Sequence, residues 1–424
     1  MIRLNLHDAI VALTTSLDFV GVDEIQHGKR VGHMARLVGQ ALGWSDARCW
    51  TLLHAGMLHD CGVSQVREHK LLTENLEWEG AEEHCIRGAG YLAACPVLVG
   101  FADIVRYHHT RWDELAGIET LTADARLDAN LVYLADRADV LFAPYLTGGH
   151  LHHDIIWEHP GIVARLQGLA GPMFAPELVD AFAQIAASDA FWLSMDPLYL
   201  NEELDSLGKG VPPVALGTGE MRDLALLFSR VVDAKSHYTD DHSRRVAAIC
   251  RHLAFTMGRR GEALVMIELA GLLHDMGKLR VPDEIIEKPG ALTRDERAYI
   301  ARHSYDTYRI LLRIFPDTPI PRWAGSHHEN LLGIGYPFRA QAEDIDLESR
   351  IVSVADIFQA LLQDRPYRAR LTGDEVIERL ETLVREGRLD ASVVNVLIGE
   401  RDVCVRLASS EIPLAEPVEV DQAG

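Results

Sequence analysis

Apolar residues recur along most of this chain at three- and four-residue intervals, and few stretches alternate with period two. The pattern predicts an all-α protein. Two segments stand out. From Thr51 to Met57, the residues Leu52, Leu53, Ala55 and Met57 run into Leu58-His59-Asp60, with Gly62 just beyond. From Met266, the residues Leu269, Leu272 and Leu273 run into His274-Asp275, with Gly277 just beyond. Each predicts a buried helix that delivers a His-Asp pair near its C-terminal end, the glycine acting as a stop signal. Leu131 to Leu141 and Ile351 to Leu362 are apolar almost all round. They predict central helices that bury one aspartate each, Asp136 and Asp356.

The two His-Asp pairs lie 215 residues apart, and what surrounds them repeats. His27 precedes His59 by 32 residues, as His242 precedes His274. His84 leads by 24 residues to His108-His109, as His303 does to His327-His328. Asp136 follows His109 by 27 residues, and Asp356 follows His328 by 28. The offset between halves grows from 215 to 219 to 220, which two small insertions explain. A lone histidine on an apolar helix is ordinarily a core or surface residue, and a buried aspartate can merely cap a helix. Neither explanation accounts for a whole series in the same order twice, so a duplicated metal-binding domain is expected. The apolar pattern of Phe174 to Phe182 also recurs at Leu389 to Leu397. Gly208 to Gly219, rich in Gly and Pro, reads as a linker. We expect a first domain over 1–207, a linker over 208–219, a second domain over 218–410 and a loose acidic tail over 411–424.

The composition of the 424-residue chain is globular, 48% hydrophobic and 25% charged. A net charge of -22 removes the electrostatic footprint for long nucleic acid. No apolar run is long enough to span a bilayer, no signal peptide is evident, and the six cysteines lack CxxC spacing, so a cytoplasmic protein is expected. His150, His152, His153 and His159 read as solvated surface. Cys61 and Cys85 adjoin candidate ligands and read first as small core residues, with redox sensing as the alternative.

Imidazole and carboxylate donors suit iron, manganese, zinc or nickel better than calcium. An adjacent His-Asp pair can serve two ions if the aspartate bridges them. A water between such ions loses its proton near neutral pH and becomes a nucleophile, while the ions stabilise charge on an attacked phosphoryl group. One half offers His242, His274, Asp275, His303, His327, His328 and Asp356. The other offers His27, His59, Asp60, His84, His108, His109 and Asp136. Lys278, three residues past Asp275, can reach a phosphate, and Arg365 with Arg368, one helical turn apart, can grip one together or merely cap a helix end.

These residues resemble the HD superfamily of metal-dependent phosphohydrolases, as two tandem HD-type helical bundles. The second half is similar to the HD-GYP branch, whose members hydrolyse cyclic dinucleotides, chiefly cyclic di-GMP. The matching stretches are Asp241-His-Ser-Arg-Arg-Val246, Leu273-His-Asp-Met-Gly-Lys278, Lys288-Pro-Gly-Ala-Leu292, His303, His327-His-Glu329, Gly333-Ile-Gly-Tyr-Pro337, Val354-Ala-Asp356 and Arg365-Pro-Tyr-Arg368. The resemblance implies metal roles for the seven residues of each series. It implies two divalent ions per site, iron or manganese ahead of zinc or nickel. It implies catalytic roles for Asp275 and Lys278, and substrate contacts from Lys278, Tyr336, Arg365 and Arg368. The expected reaction is hydrolysis of a cyclic dinucleotide through a metal-bridging hydroxide, cyclic di-GMP first and hybrid cyclic GMP-AMP second. A homodimer or a signalling-protein partner stays open.

The second half departs from the family pattern at Leu332 and Gln359, where aspartates are usual, and at Thr307, where glycine is usual. Tyr238 stands where some relatives place an acidic ligand for a third metal, which favours two. The first half keeps its ligand series, Asp113, and Asp23 four residues before His27. It lacks the GYP loop; Val63 stands for Lys278, and Tyr145 and Gly148 for the two arginines. We therefore expect an accessory or regulatory first domain and a catalytic second one. The alternatives are another HD-type nucleotide phosphohydrolase and a non-catalytic tandem sensor.

Overall fold

A computed structural model describes residues 3–18, 26–63, 68, 72, 78, 80–147, 150–234, 241–364 and 369–409. Among these residues the protein is helical, with two short antiparallel strand pairs, Arg3–Leu4 with Val214–Ala215 and Leu146–Thr147 with His150–Leu151. The former pair includes part of the segment read as a linker. The chain divides into two compact units, 2–227 and 228–424, at a point inside the helix Thr218–Asp233. No helix among the described residues is long and apolar enough to cross a membrane.

In the first unit the site is framed by α1 (Leu6–Leu17), α2 (His27–Ala41), α3 (Asp46–Leu58), α4 (Glu82–Ala93), α5 (Ala102–Tyr107) and α6 (Ala123–Phe142). Local chemistry sets their starts. Asn5 caps α1 through His7 and Asp8 N–H, Ser45 caps α3 through Arg48 N–H, and Thr122 caps α6 through Ala125 N–H. α2 packs along both α3 and α6, and α4 packs along α5. Leu131, Val132, Leu134 and Phe142 of α6 are fully buried in one core with Phe174 and with Phe182 and Trp192 of later helices. Each such side chain contributes about 1.5–3 kcal/mol of burial free energy.

The second unit repeats the arrangement with the C-terminal end of α7 (Thr218–Asp233), α8 (His242–Thr256), α9 (Glu262–Leu273), α10 (Arg294–Ile314), α11 (Ile320–Gly325) and α12 (Leu347–Leu361). α8 packs along α9 and α12, and α10 along α11. Thr293 and Glu296 form a reciprocal capping box that starts α10. The glycines after each His-Asp pair are not left-handed stops; neither has positive φ. A Cβ on Gly62 would stand 2.0 Å from His84 O, and one on Gly277 would stand 2.1 Å from His303 O. They let the His-Asp turn press against the helix bearing the third histidine. His159 differs from its expectation as well. It is buried, bonded to Asp189 at 3.0 Å and stacked on Trp192.

Candidate metal centres

α8 begins at His242 directly after Asp241, whose left-handed backbone (φ 58°) turns the chain into the helix. α9 ends at Leu273, so His274 caps it and Asp275 follows. His303 lies within α10, His327 and His328 just past α11, and Asp356 within α12. The fold brings all seven together around Asp275. Its Oδ2 is 3.3 Å from His274 Nε2 and 3.8 Å from His242 Nε2. Its Oδ1 is 3.5 Å from His303 Nε2 and 3.9 Å from His327 Nε2. Asp356 Oδ1 completes the former group, 3.4 Å from His242 Nε2 and 3.8 Å from His274 Nε2. The His328 ring centre is 4.0 Å from that of His327 and 5.1 Å from that of His303. One carboxylate thus faces two sets of donors, one on each oxygen.

The protons show what the cluster lacks. His274 Nδ1–H donates to Gly271 O at 2.8 Å, His303 to Ile300 O at 2.5 Å and His327 to Ala324 O at 2.6 Å. In a neutral ring this leaves a lone pair on each inward Nε2. Burial and His328 push His303 down to about 3, and burial pushes His327 well down, so both are neutral. Their Nε2 atoms nevertheless face each other at 3.2 Å. Two lone pairs at that distance repel unless a cation lies between. His242 Nε2, His274 Nε2 and Asp275 Oδ1 are also buried without hydrogen-bond partners. The donor set therefore fits divalent ions held by nitrogen and oxygen.

Around the cluster, Lys278 Nζ contacts Asp275 Oδ2 at 2.5 Å with its side chain 26% exposed. Burial raises the Asp275 carboxyl, but His274 and Lys278 outweigh it and hold it well below the usual carboxylate range. Tyr336 packs on His328, ring centres 4.8 Å apart, and burial pushes its hydroxyl up, so it stays protonated. The loop bearing it turns at Gly333 (φ 68°). Glu329 fixes that loop by accepting N–H from Phe338 (2.6 Å), Arg339 (3.1 Å) and Ala340 (3.1 Å). Thr307 ties the His-Asp turn to α10, accepting from Gly277 N–H at 2.9 Å and donating to His274 O at 3.0 Å. Arg365, Arg368, Tyr238, Asp23 and Gly148 lie outside the described residues.

The first unit assembles its seven residues the same way. Gln26 (φ 82°) starts α2 at His27, and His59 caps α3. Asp60 Oδ2 is 3.4 Å from His59 Nε2 and 3.8 Å from His27 Nε2, and Oδ1 is 3.2 Å from His84 Nε2 and 4.0 Å from His108 Nε2. Asp136 Oδ1 is 3.4 Å from His27 Nε2, and its Oδ2 is 3.7 Å from His109 Nε2. His59 Nε2, Asp60 Oδ1 and Asp136 Oδ1 are buried without hydrogen-bond partners. The surroundings differ. Arg137 Nη2 holds Asp136 Oδ2 at 2.7 Å. His27 Nδ1 donates to Asp139 Oδ2 at 2.7 Å, and Arg30 binds the same carboxylate at 2.5 and 2.8 Å. In the second unit Gln359 takes the place of Asp139 and accepts from His242 Nδ1.

Several supporting residues escaped the sequence reading, although the repeat offset marks some of them. Asp18 and Asp233 stand 215 residues apart, each nine before the first histidine. They accept from Gly28 N–H (3.3 Å) and Ser243 N–H (3.4 Å), at the starts of α2 and α8. Burial raises Asp18 to about 6 and Asp233 to about 7. Asp139 and Gln359 share the 220-residue offset of Asp136 and Asp356. For the pinning role of Glu329 the sequence held only its place in the His327-His-Glu329 stretch.

Family models described as HD domain match residues 227–393 and, separately, 25–141. The chain is 38% identical over 418 residues to the 3'3'-cGAMP-specific phosphodiesterase 1 of Vibrio cholerae serotype O1, covering 97% of this chain and 95% of that protein. It is 35% identical over 185 residues to the cyclic di-GMP phosphodiesterase response regulator RpfG of Xanthomonas campestris pv. campestris, 42% of this chain and 48% of that one. Among solved structures, a cyclic GMP-AMP-specific phosphodiesterase of V. cholerae shares the fold, with a TM-score of 0.63 at 23% identity over 95% of this chain and 98% of that one.

Proposed function

This chain belongs to the HD-GYP family of the HD superfamily, and we propose that it is a metal-dependent phosphodiesterase that opens cyclic dinucleotides in its second unit. The reading ranks 3'3'-cGAMP first. The observation behind that order is the likeness to a 3'3'-cGAMP-specific enzyme across 97% of this chain, both units included. Cyclic di-GMP, ranked first by the sequence alone, becomes second; RpfG matches over 42% of the chain. A cytoplasmic location accords with six buried, unpaired cysteines.

His242, His274, Asp275 and Asp356 would hold one divalent ion, and Asp275, His303, His327 and His328 a second. Iron or manganese is favoured. When bound, such ions polarise a phosphoryl group and acidify water. The remaining work falls to side chains. Backbone carbonyls hold the Nδ1–H of His274, His303 and His327, so each ring is oriented with its Nε2 aimed inward, where a bound ion would take the lone pair. Gln359 does the same for His242. Lys278, part exposed beside Asp275, meets the negative charge that grows on the phosphate as its P–O bond breaks. Tyr336, kept protonated by burial, offers a hydroxyl donor on a loop braced by Glu329. In this reading Arg365 and Arg368 grip the phosphates. Water supplies the atoms that open one phosphodiester, and the product is a linear dinucleotide. The first unit keeps the donors but has Val63 where Lys278 would stand, and serves as an accessory module.

The test is turnover of 3'3'-cGAMP and cyclic di-GMP by purified protein loaded with manganese or iron. The expected result is hydrolysis of both, faster for 3'3'-cGAMP. A metal-loaded protein that cleaves neither would sink the reading, and cleavage of nucleotides alone would favour a general HD phosphohydrolase.

A further inference from the structure

We propose that one metal position of the first unit is a mixed nitrogen–sulfur site, with Cys85 a ligand beside His84, His108 and Asp60. Thiolate among imidazoles selects zinc, whereas the all-nitrogen-and-oxygen centre of the second unit selects iron or manganese. The proposal rests on the reading that the first unit holds metal. Cys85 Sγ lies 3.7 Å from His84 Nε2 and 4.0 Å from His108 Nε2, and those nitrogens are 3.2 Å apart. Asp60 Oδ1 lies 3.2 Å and 4.0 Å from the same two nitrogens. A tetrahedral zinc ion with bonds of about 2.0 Å to nitrogen and about 2.3 Å to sulfur gives edges of about 3.3 Å between nitrogens and about 3.5 Å from nitrogen to sulfur. The two nitrogens and the sulfur already stand within about 0.5 Å of those edges. His109 brings a further nitrogen within 4.8 Å of the donor atoms of His84, Cys85 and His108.

The second unit supplies the contrast. Ser304 occupies the place of Cys85, with Oγ 3.3 Å from His303 Nε2, and His303 Nδ1–H is satisfied by Ile300 O. In the first unit the matching carbonyl, Ala81 O, is taken by the Cys85 thiol at 3.3 Å, and His84 Nδ1 is buried with no hydrogen-bond partner. A thiol that gives its proton to solvent and its electron pair to a cation stops donating to Ala81 O. That carbonyl then becomes available to His84 Nδ1–H, as Ile300 O is to His303. A single event supplies the soft ligand and satisfies the orphaned nitrogen. Cys61, the other cysteine beside a ligand, donates instead to Gly88 O at 3.8 Å.

The experiment uses full-length protein stripped of metal and reloaded with cobalt(II), whose bond to thiolate gives an intense near-ultraviolet charge-transfer band. The band is expected in the wild type, in Cys61→Ala and in His274→Ala/Asp275→Ala, where the second unit is disabled. It is expected to vanish in Cys85→Ser, a change to the residue found at the matching position, with at least about tenfold weaker zinc binding by the first unit. Cobalt bound by the first unit without the band overturns the thiolate ligand and leaves the metal reading intact. No cobalt retained in His274→Ala/Asp275→Ala overturns both. Zinc K-edge absorption on the wild type makes the same decision without a variant, since one sulfur neighbour per first-unit zinc is expected and none refutes it.

Discussion

The two centres match in their seven histidine and aspartate residues, but their positive charge is placed differently. In the first unit Arg137 lies behind Asp136 and Arg30 behind Asp139, both arginines buried. They compensate carboxylates and cannot reach a substrate. In the second unit the matching supports are the neutral Ile357 and Gln359. The cation there is Lys278, on the front of Asp275 and part exposed. On the proposed reading, the shared histidines and aspartates would not by themselves separate a catalytic second centre from an accessory first one. The observed difference is that the cation beside the second cluster faces solvent, while those beside the first face the protein interior. Arg30 and Asp139 also belong together, because a buried carboxylate needs a countercharge and an amide does not. Where Asp gives way to Gln359, the matching arginine, Arg245, turns to Ala408 O.

The largest expected difference comes from removing each His-Asp pair in turn. His274→Ala/Asp275→Ala should lower turnover of 3'3'-cGAMP on the order of 10³-fold or more, about 4 kcal/mol of transition-state stabilisation. His59→Ala/Asp60→Ala should change it by less than about threefold, under about 0.7 kcal/mol. Equal losses, measured by product formation at saturating manganese, would break the division of labour. Next comes the exchange of the front residues. Lys278→Val should lower kcat about 10²-fold, with metal content unchanged. Val63→Lys should confer no activity on a protein carrying His274→Ala/Asp275→Ala, because the first unit also lacks the GYP loop.

The helical fold and the clustering of both candidate ligand series were legible because a 215-residue repeat converts weak single-residue signals into a series. Residues that act through backbone geometry were less so. Gly62 and Gly277 read as helix stops, since sequence shows a glycine but not the neighbouring carbonyl that excludes a Cβ. His159 read as surface because it follows the His-rich stretch of His150, His152 and His153, while Trp192, which covers it, lies 33 residues away. Cys85 read as a core cysteine and is buried, but its approach to His108 was not legible, because that contact runs across two helices.

A smaller effect should follow from the supports of the first histidines. Asp139→Asn should weaken metal binding by the first unit about 10–100-fold, measured by competition with a chelating dye in the His274→Ala/Asp275→Ala background. It should also destabilise the unit, because it leaves Arg30 facing a neutral amide. Gln359→Asp should strengthen metal binding by the second unit, since a carboxylate raises the basicity of His242. Unchanged affinities in both would remove these residues from the account of the metal sites.

The smallest effect concerns the remote caps. Burial raises Asp233 from its ordinary 3.8 to about 7 and Asp18 to about 6. Between the unfolded and folded values each carboxyl holds a proton in the native chain that it has lost in the unfolded one. Their contribution is therefore most favourable at the acid end of that window and declines as pH rises toward the folded values. In metal-free protein the urea midpoint should fall between about pH 5 and pH 7.5, with a slope per group of at most about 1.4 kcal/mol per pH unit. Asp233→Asn keeps an oxygen for Ser243 N–H but has no proton to lose, so it should flatten the decline. Asp18→Asn should flatten it less, because its window closes about one pH unit earlier. A decline of equal steepness in both variants and the wild type would place the titrating proton elsewhere in the clusters.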